Sequence, residues 1–302
     1  MRFSALIFFL LSLLAAPLLT GWIVRVKALF AGRRGAPVTQ LYRDLFRLLR
    51  KGAVYSRSTS PLFWLAPMIT LAATVAALAL LPLPGYAALI AFPGDLILFA
   101  YLFALGRFFT ILAALDTASA FEGMGASREA WYAIFAELIL FLGLATLVRF
   151  TNSLSLSQIF ESRAVTIEYA DSPALALLLV SLFVAMLAEN SRIPVDDPAT
   201  HLELTMIHEV MVLDHSGPDF AFILYGAALK LWIWAMFLTL VIISSFPSPN
   251  SLRPLIAAGV LFIIATAIGI VESVMARLRL ERVPQMLMGA GALGLLSYII
   301  LG

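Results

Sequence analysis

Eight apolar runs, each close to the length a helix needs to cross a bilayer, follow one another along this chain: 3–24, 61–82, 94–115, 131–150, 173–188, 219–244, 254–275 and 284–301. Crossing roughly 30 Å of hydrocarbon takes about 20 helical residues, and the backbone finds no water to bond there. The runs are therefore predicted to be helices, because a closed barrel would need alternating segments of about ten residues, which are absent. Composition agrees: with 62% hydrophobic and 13% charged residues in 302, and a mean hydropathy of +0.99, the apolar surface exceeds what one soluble core could cover. The expected fold is all-α, a polytopic membrane bundle of about eight transmembrane helices. No Pro- or Gly-rich linker and no internal repeat divides it, so residues 1–302 are read as a single integral membrane domain.

Arginine and lysine set the expected orientation. With the N-terminus outside, the inward connections carry Arg25, Lys27, Arg33, Arg34, Arg43, Arg47, Arg50, Lys51, Arg57, Arg128, Arg192, Arg277, Arg279 and Arg282, fourteen of the twenty basic residues. Only Arg2, Arg149, Arg163 and Arg253 fall outside. This positive-inside pattern puts both termini outside and the long basic and acidic connections in the cytoplasm. Met1 to Ala16 imitates a signal peptide, but its apolar run continues to Val24 and meets a basic loop, which favours an uncleaved first span.

In the first inward connection, VTQLYRDLFRLLRKG sets Leu41, Leu45, Leu48 and Leu49 on one helical stripe and Arg43, Arg47, Arg50 and Lys51 mainly elsewhere. That is the pattern of an amphipathic surface helix. It serves either as an anchor on anionic lipid or as a platform, with Arg33 and Arg34 beside it, for a peripheral subunit. The glycine and proline of RRGAPV place those two arginines on a turn.

Residues 188–219, AENSRIPVDDPATHLELTMIHEVMVLDHSGPD, hold all three histidines and seven of the eighteen acids. His201, His208 and His215 recur every seven residues; on a helix that leaves about 10 Å of rise between neighbours, too far to share one ion. His208 and Glu209 begin like the HExxH motif, but Val212 stands where the second histidine belongs. No metal site is expected. What remains is a stripe of groups that titrate near neutral pH, with Glu203, Glu209 and Asp214 interleaved, or a solvated loop.

Charges within the spans sharpen the choice. Glu137 sits near the middle of AIFAELILFLG, Lys230 about three turns into the sixth span, and Glu272 in GIVESVMA near an inward end. An ionised group there costs a few kcal/mol at least unless it is paired or wetted, so a place on an ion path competes with structural pairing for each. For Glu272, the arginines at its own helix end are within reach. Arg107 in ALGRFF is open to a plainer reading, as an anchor for a packed helix. The absence of cysteine removes disulfides and cysteine-held iron–sulfur clusters from this chain.

Four segments, RRGAPVTQLYRDLFRLL, DTASAFEGMGASRE followed by Glu137, AENSRIPVDDP with Glu203, and ESVMARLRLER, stand in one order between the corresponding helices. Together they resemble subunit 1 of respiratory complex I, and more closely the membrane-anchor subunits of group 4 membrane-bound hydrogenases, of the hydrogenase-4 component C and formate hydrogenlyase type. The resemblance covers nearly the whole chain.

It implies a non-catalytic subunit of an oxidoreductase complex in the prokaryotic cytoplasmic (inner) membrane. No cofactor is implied here; iron–sulfur clusters and a nickel-iron-type centre would sit in soluble hydrogenase-like large and small subunits, beside antiporter-like membrane subunits. Lipid is expected as a partner and nucleic acid is not. By position, Arg128 and Glu137 match the family's GASR region and first intramembrane carboxylate. Glu189, Arg192, Asp196 and Glu203 match its acidic loop, with Asp197 alongside, and Arg277 and Arg279 its last inward turn. Ala199 and His201 stand where complex I carries further glutamates, and a short insertion adds His208 and Glu209, so quinone binding is not assigned.

The physical account expected from these residues is that charge changing in a docked partner shifts protonation in 188–219, passes to Glu137 and then to Lys230. An autonomous secondary transporter is the alternative, though matched inverted halves are not detected.

Overall fold

The computed structural model describes residues 2–161, 173–196, 206–245, 249 and 252–300. Asp197, His201 and Glu203 lie outside these residues. Ten α-helices form the described part: α1 (Arg2–Phe30), α2 (Gln40–Leu49), α3 (Pro61–Leu80), α4 (Asp95–Asp116), α5 (Ala120–Thr151), α6 (Leu156–Glu161), α7 (Pro173–Glu189), α8 (Gly217–Ser244), α9 (Arg253–Val274) and α10 (Val283–Ile300). Among the described residues seven helices are long and apolar enough to cross a membrane: α1, α3, α4, α5, α8, α9 and, with the short turn before it, α10. The protein is an all-α multi-pass membrane bundle.

α8 is the axis of the bundle. In its most apolar window 78% of residues are buried, against 28–44% in the other spans, and α1, α2, α3, α7 and α9 all pack on it. Trp234 and Phe237 are its largest enclosed side chains. Lipid offers no hydrophobic gain for helix association, so close packing and hydrogen bonds between helices must hold the bundle. Ser181 of α7 accordingly donates to the Ala290 carbonyl of α10 at 2.7 Å, and Ser297 of α10 to the Ala174 carbonyl at 2.8 Å. Pro17 leaves the Leu13 carbonyl of α1 without its helical donor, and the Tyr225 hydroxyl of α8 supplies one at 2.9 Å.

The connections sort to two ends. At one end Ser60 N donates to Asp116 at 2.7 Å, Val54 N to the Ser216 hydroxyl at 3.2 Å and Leu278 N to the Pro194 carbonyl at 2.9 Å, so the basic and the acidic connections meet there. At the other end Gly94 N reaches the Leu154 carbonyl, Phe8 packs on Tyr86, and Arg149 lies over the Tyr298 ring. The first turns of α1 and the last turn of α10 thus share a side, which requires that α7 count as a crossing too.

Two elements call for a physical reason. The fifth expected span, 173–188, is α7, which keeps those bounds to within a residue; at 17 residues, about 25 Å, it is not among the seven. Its last residue, Glu189, pairs with Arg107 and Lys230, both midway along their helices, so α7 stops well short of its neighbours' ends. Second, the polar stretch 120–130 is not a connection but the start of α5, which begins eleven residues before the expected span at 131. Its polar face is covered by residues 206–214 rather than by lipid.

Gly125 permits that cover, since a Cβ there would stand 2.3 Å from Val210 Cγ1 and 2.8 Å from the Ile207 carbonyl oxygen. Gly217, at φ +54°, similarly lets the start of α8 touch the Gly52 backbone. The amphipathic helix of the first connection is α2, with Arg43, Phe46, Arg47 and Leu49 exposed and Tyr42 hydrogen-bonded to the Leu14 carbonyl of α1. Replacing Gly125 with Val should lift 206–214 off α5 and destabilise the protein by about 1–3 kcal/mol. A lowered melting temperature together with new protease cleavage inside 206–214 is the expected readout.

Candidate functional site: a branched chain of buried ion pairs

Arg107 projects from the middle of α4 with only 7% of its side chain exposed. Its three nitrogens meet three carboxylates: Nη1 bonds Glu137 of α5, Nη2 bonds Glu189 at the end of α7, and Nε lies 3.2 Å from Glu129 of α5. A guanidinium suits this place because it stays charged and presents its donors in a rigid fork. Lys230 of α8 takes the other Glu189 oxygen at 2.7 Å, with the Phe103 ring 6.0 Å from its Nζ.

Toward the basic end the pairing continues. The second Glu129 oxygen is 3.0 Å from His208 Nε2, His208 Nδ1 is 3.4 Å from Asp196 Oδ2, and Asp196 Oδ1 is 2.9 Å from Arg277. The result is one line, Arg277, Asp196, His208, Glu129, Arg107, which forks to Glu137 and to Glu189 with Lys230. Counted over these described residues alone, four acids and four bases balance when His208 carries its proton. Unpaired, any one of these buried charges would cost several kcal/mol.

The segment bearing His208 is held by its backbone. Ile207 N and His208 N donate to Asp196 Oδ2 at 3.2 and 3.1 Å, Arg128 donates to the Met206 carbonyl at 2.8 Å, and Asp214 N donates to Glu122 at 3.1 Å. Asp196 is anchored in turn by a crossed pair of bridges. Arg192 reaches Glu272 at 3.1 Å while Arg277 reaches Asp196, and Lys27 of α1 adds a second cation to the fully enclosed Glu272 at 2.8 Å.

Burial alone would lower the His208 pKa, but Glu129 and Asp196 outweigh it and push the imidazole up to about 9. Burial opposes ionisation of Asp196 too, yet the hydrogen bonds and charge of His208, with Arg277, hold its pKa below the ordinary carboxylate range. His215 is the opposite case: stacked on Phe63 at 3.9 Å, with no charged partner among the described residues, it is pushed by burial down to about 4.

Glu137 is the open member, with 39% of its side chain exposed. It and Arg107 line a groove of about 600 Å³ between α4 and α5, otherwise walled by apolar side chains including Tyr101, Leu105, Phe108 and Ile134. Among the described residues no three His, Asp or Glu side chains are grouped as metal ligands.

Of the residues singled out in the sequence, Glu137, Glu189, Asp196, His208, Lys230 and Arg277 fall on the branched chain, and Arg128 supports it. Glu137 and Lys230 sit on separate branches rather than in succession. Glu272 and Arg192 form the neighbouring triad, in which Glu272 takes Arg192 and Lys27 rather than the arginines at its own helix end. Glu209 lies in a short 3-10 turn, and Asp214, Arg33, Arg34, Arg43 and Arg279 are exposed. Sequence reasoning missed Glu129 and undervalued Arg107. For Arg107 the signal was present, a cation in mid-span; Glu129 gave only a weak one, eight residues before Glu137.

The two histidines make the hold on 206–216 pH-dependent. The raised pKa of His208 contributes stability that is complete below about 6.5 and is lost as pH rises through about 9. The depressed pKa of His215 contributes stability that is complete above about 6.5 and is lost as pH falls toward 4, where protonation of Asp196 adds to the loss. The segment should therefore be tightest near pH 6.5. Because the chain has no cysteine and Leu213 is 50% exposed, a spin label at Leu213→Cys can report this, its mobility rising on both sides of that minimum.

Comparison with known proteins places this arrangement. The family model for NADH dehydrogenase matches residues 3–301. Formate hydrogenlyase subunit 4 of Escherichia coli (strain K12) is 30% identical over 292 residues, covering 95% of this chain and 94% of that protein. Hydrogenase-4 component C of the same organism is 33% identical over 74% of this chain and 69% of its own length. A solved structure of the membrane-bound sulfane sulfur reductase, an archaeal respiratory membrane complex, superposes with a TM-score of 0.82 over 99% of this chain and 98% of that one, at 18% identity, which speaks for the fold alone. On the family match across its length and a relative alike over nearly all of it, the chain belongs to the NADH dehydrogenase family, that of complex I subunit 1.

Proposed function

We propose that this chain is the membrane-anchor and coupling subunit of a complex I-like or group 4 hydrogenase-like redox complex, linking electron transfer in soluble subunits to proton or sodium movement in the membrane. The observation that carries this reading is the unbroken ionic line from Asp196 and His208, among the connections at the basic end, to Lys230 midway along the most buried helix. Two relatives named for formate hydrogenlyase and hydrogenase-4 support the redox setting. The soluble iron–sulfur and nickel-iron-type subunits would dock at the basic end, taken as cytoplasmic from the arginine distribution.

Coupling follows from the electrostatics of the line. An electron arriving in a docked partner adds negative charge above Asp196 and the already protonated His208 and draws the imidazolium away from Glu129. Glu129 then leans on Arg107, which is shared with Glu137 and Glu189 and redistributes toward it. Two arrangements of one guanidinium make the bistable element such coupling needs. The Glu137 branch opens into the α4–α5 groove, where an antiporter-like membrane subunit would lie against it, since a carboxylate left facing lipid is unfavourable.

Glu137→Gln should abolish redox-coupled ion movement in reconstituted vesicles while the complex still assembles; unchanged ion movement removes Glu137 from the path. Reversing charge at Arg33, Arg34 and Arg43 together should release the soluble subunits on purification. Purification of the native chain as a stable solitary protein would favour an autonomous transporter instead.

A further inference from the structure

We infer that Thr70 is a positioning residue for Arg107: its hydroxyl, reaching from α3 to the Gly106 carbonyl of α4, fixes the turn from which the guanidinium projects. The contact stands by itself, and its consequence for coupling rests on the proposed function.

A helical threonine ordinarily turns its hydroxyl back to a carbonyl three or four residues earlier in the same helix. Thr74, Thr110, Thr146 and Thr239 do so at distances from 2.7 to 3.0 Å. Among the described helical threonines Thr70 alone crosses to another helix, donating to the Gly106 carbonyl at 3.1 Å. Thr110 donates to the same oxygen at 3.0 Å, with its hydroxyl 3.4 Å from that of Thr70. Gly106 makes room for this approach, since a Cβ there would stand 3.3 Å from Thr70 Cγ2. The carbonyl that receives both hydroxyls belongs to the residue immediately before Arg107.

Lipid gives helices no hydrophobic reason to stay together, so a hydrogen bond of this kind sets both their spacing and their relative depth. The carboxylates on Arg107 come from α5 and α7, and they engage the fork rather than the backbone that carries it. Helix α3 supplies that second hold. Its next residue, Leu71, lies against Gly226 of α8, where a Cβ would be 3.9 Å from Leu71 Cδ1, one turn before Lys230. One turn of α3 is therefore braced on both helices whose cations share Glu189. With its backbone held, Arg107 changes carboxylates by swinging its side chain alone. Loss of the Thr70 hydroxyl frees α4 to shift toward α5 and α7, and a misplacement of about 1 Å is enough to disable a site built on fixed geometry.

Four variants, each purified with the partner subunits, test this. Thr70→Val removes the hydroxyl at nearly constant size, and Thr70→Ala does so where the valine variant does not assemble. Thr70→Ser keeps the hydroxyl, and Thr74→Val removes a neighbouring one that bonds only within α3. In reconstituted vesicles the ions moved per electron, read for protons and sodium in parallel, should fall at least about twofold in Thr70→Val and Thr70→Ala. Thr70→Ser and Thr74→Val should match the wild type. In the structure of Thr70→Val, Arg107 should lose at least one of its three carboxylates while Lys230 keeps Glu189. The inference is overturned by a wild-type ratio in Thr70→Val and Thr70→Ala where Glu137→Gln abolishes ion movement, by an equal fall in Thr74→Val, or by a Thr70→Val structure with Arg107 still on all three carboxylates. Should Glu137→Gln move ions as the wild type does, the proposed function fails, and the place of Arg107 in the Thr70→Val structure still decides the positioning role.

Discussion

A guanidinium that cannot be discharged, fixed midway along a membrane helix, dictates the rest of this protein. Arg107 requires anions within reach. Helix α5 brings Glu129 and Glu137, and α7 brings Glu189 only by ending at its level. Once Glu189 is there, its second oxygen needs a cation, and Lys230 of the central helix provides it. Each charge is tolerable because the next is present, so the line extends until it reaches the connections at the basic end.

The early end of α7 and the long start of α5 are two sides of one arrangement. Where α7 stops, residues 190–196 and 206–216 fill the space beside α4 and α5, and the close approach at Gly125 seats them. The crossed bridges of Arg192 to Glu272 and Asp196 to Arg277 tie this fill to the end of α9. Polar chain thus reaches Arg107 with several of its amides bonded, to Asp196, Glu122 and its own carbonyls.

Much of this was legible in the sequence, for a reason that also limits it. Hydropathy reports the solvent a residue meets, and for helices facing lipid that nearly fixes the fold. It fails for 120–130, whose polar residues are covered by other protein; it marks the bounds of α7 but not the ion pair at its end. Individual charged residues within spans stood out at once because lipid makes them costly. Their pairing did not, since Arg107 and Glu189 are 82 residues apart and Arg192 and Glu272 are 80 apart. Arg107 was discounted because a long cation can always be imagined reaching an interface. In the structure it is enclosed and pairs with three carboxylates.

The exposed side of Glu137 bears on the life of the chain before assembly. A newly inserted copy standing alone in the bilayer turns that carboxylate, and the apolar walls of its groove, toward acyl chains. Acyl chains suit the apolar walls but not the carboxylate, so an occupant that paired Glu137 would stabilise the chain by linkage, as any ligand specific for the native state does. A copy whose groove is empty lacks that contribution.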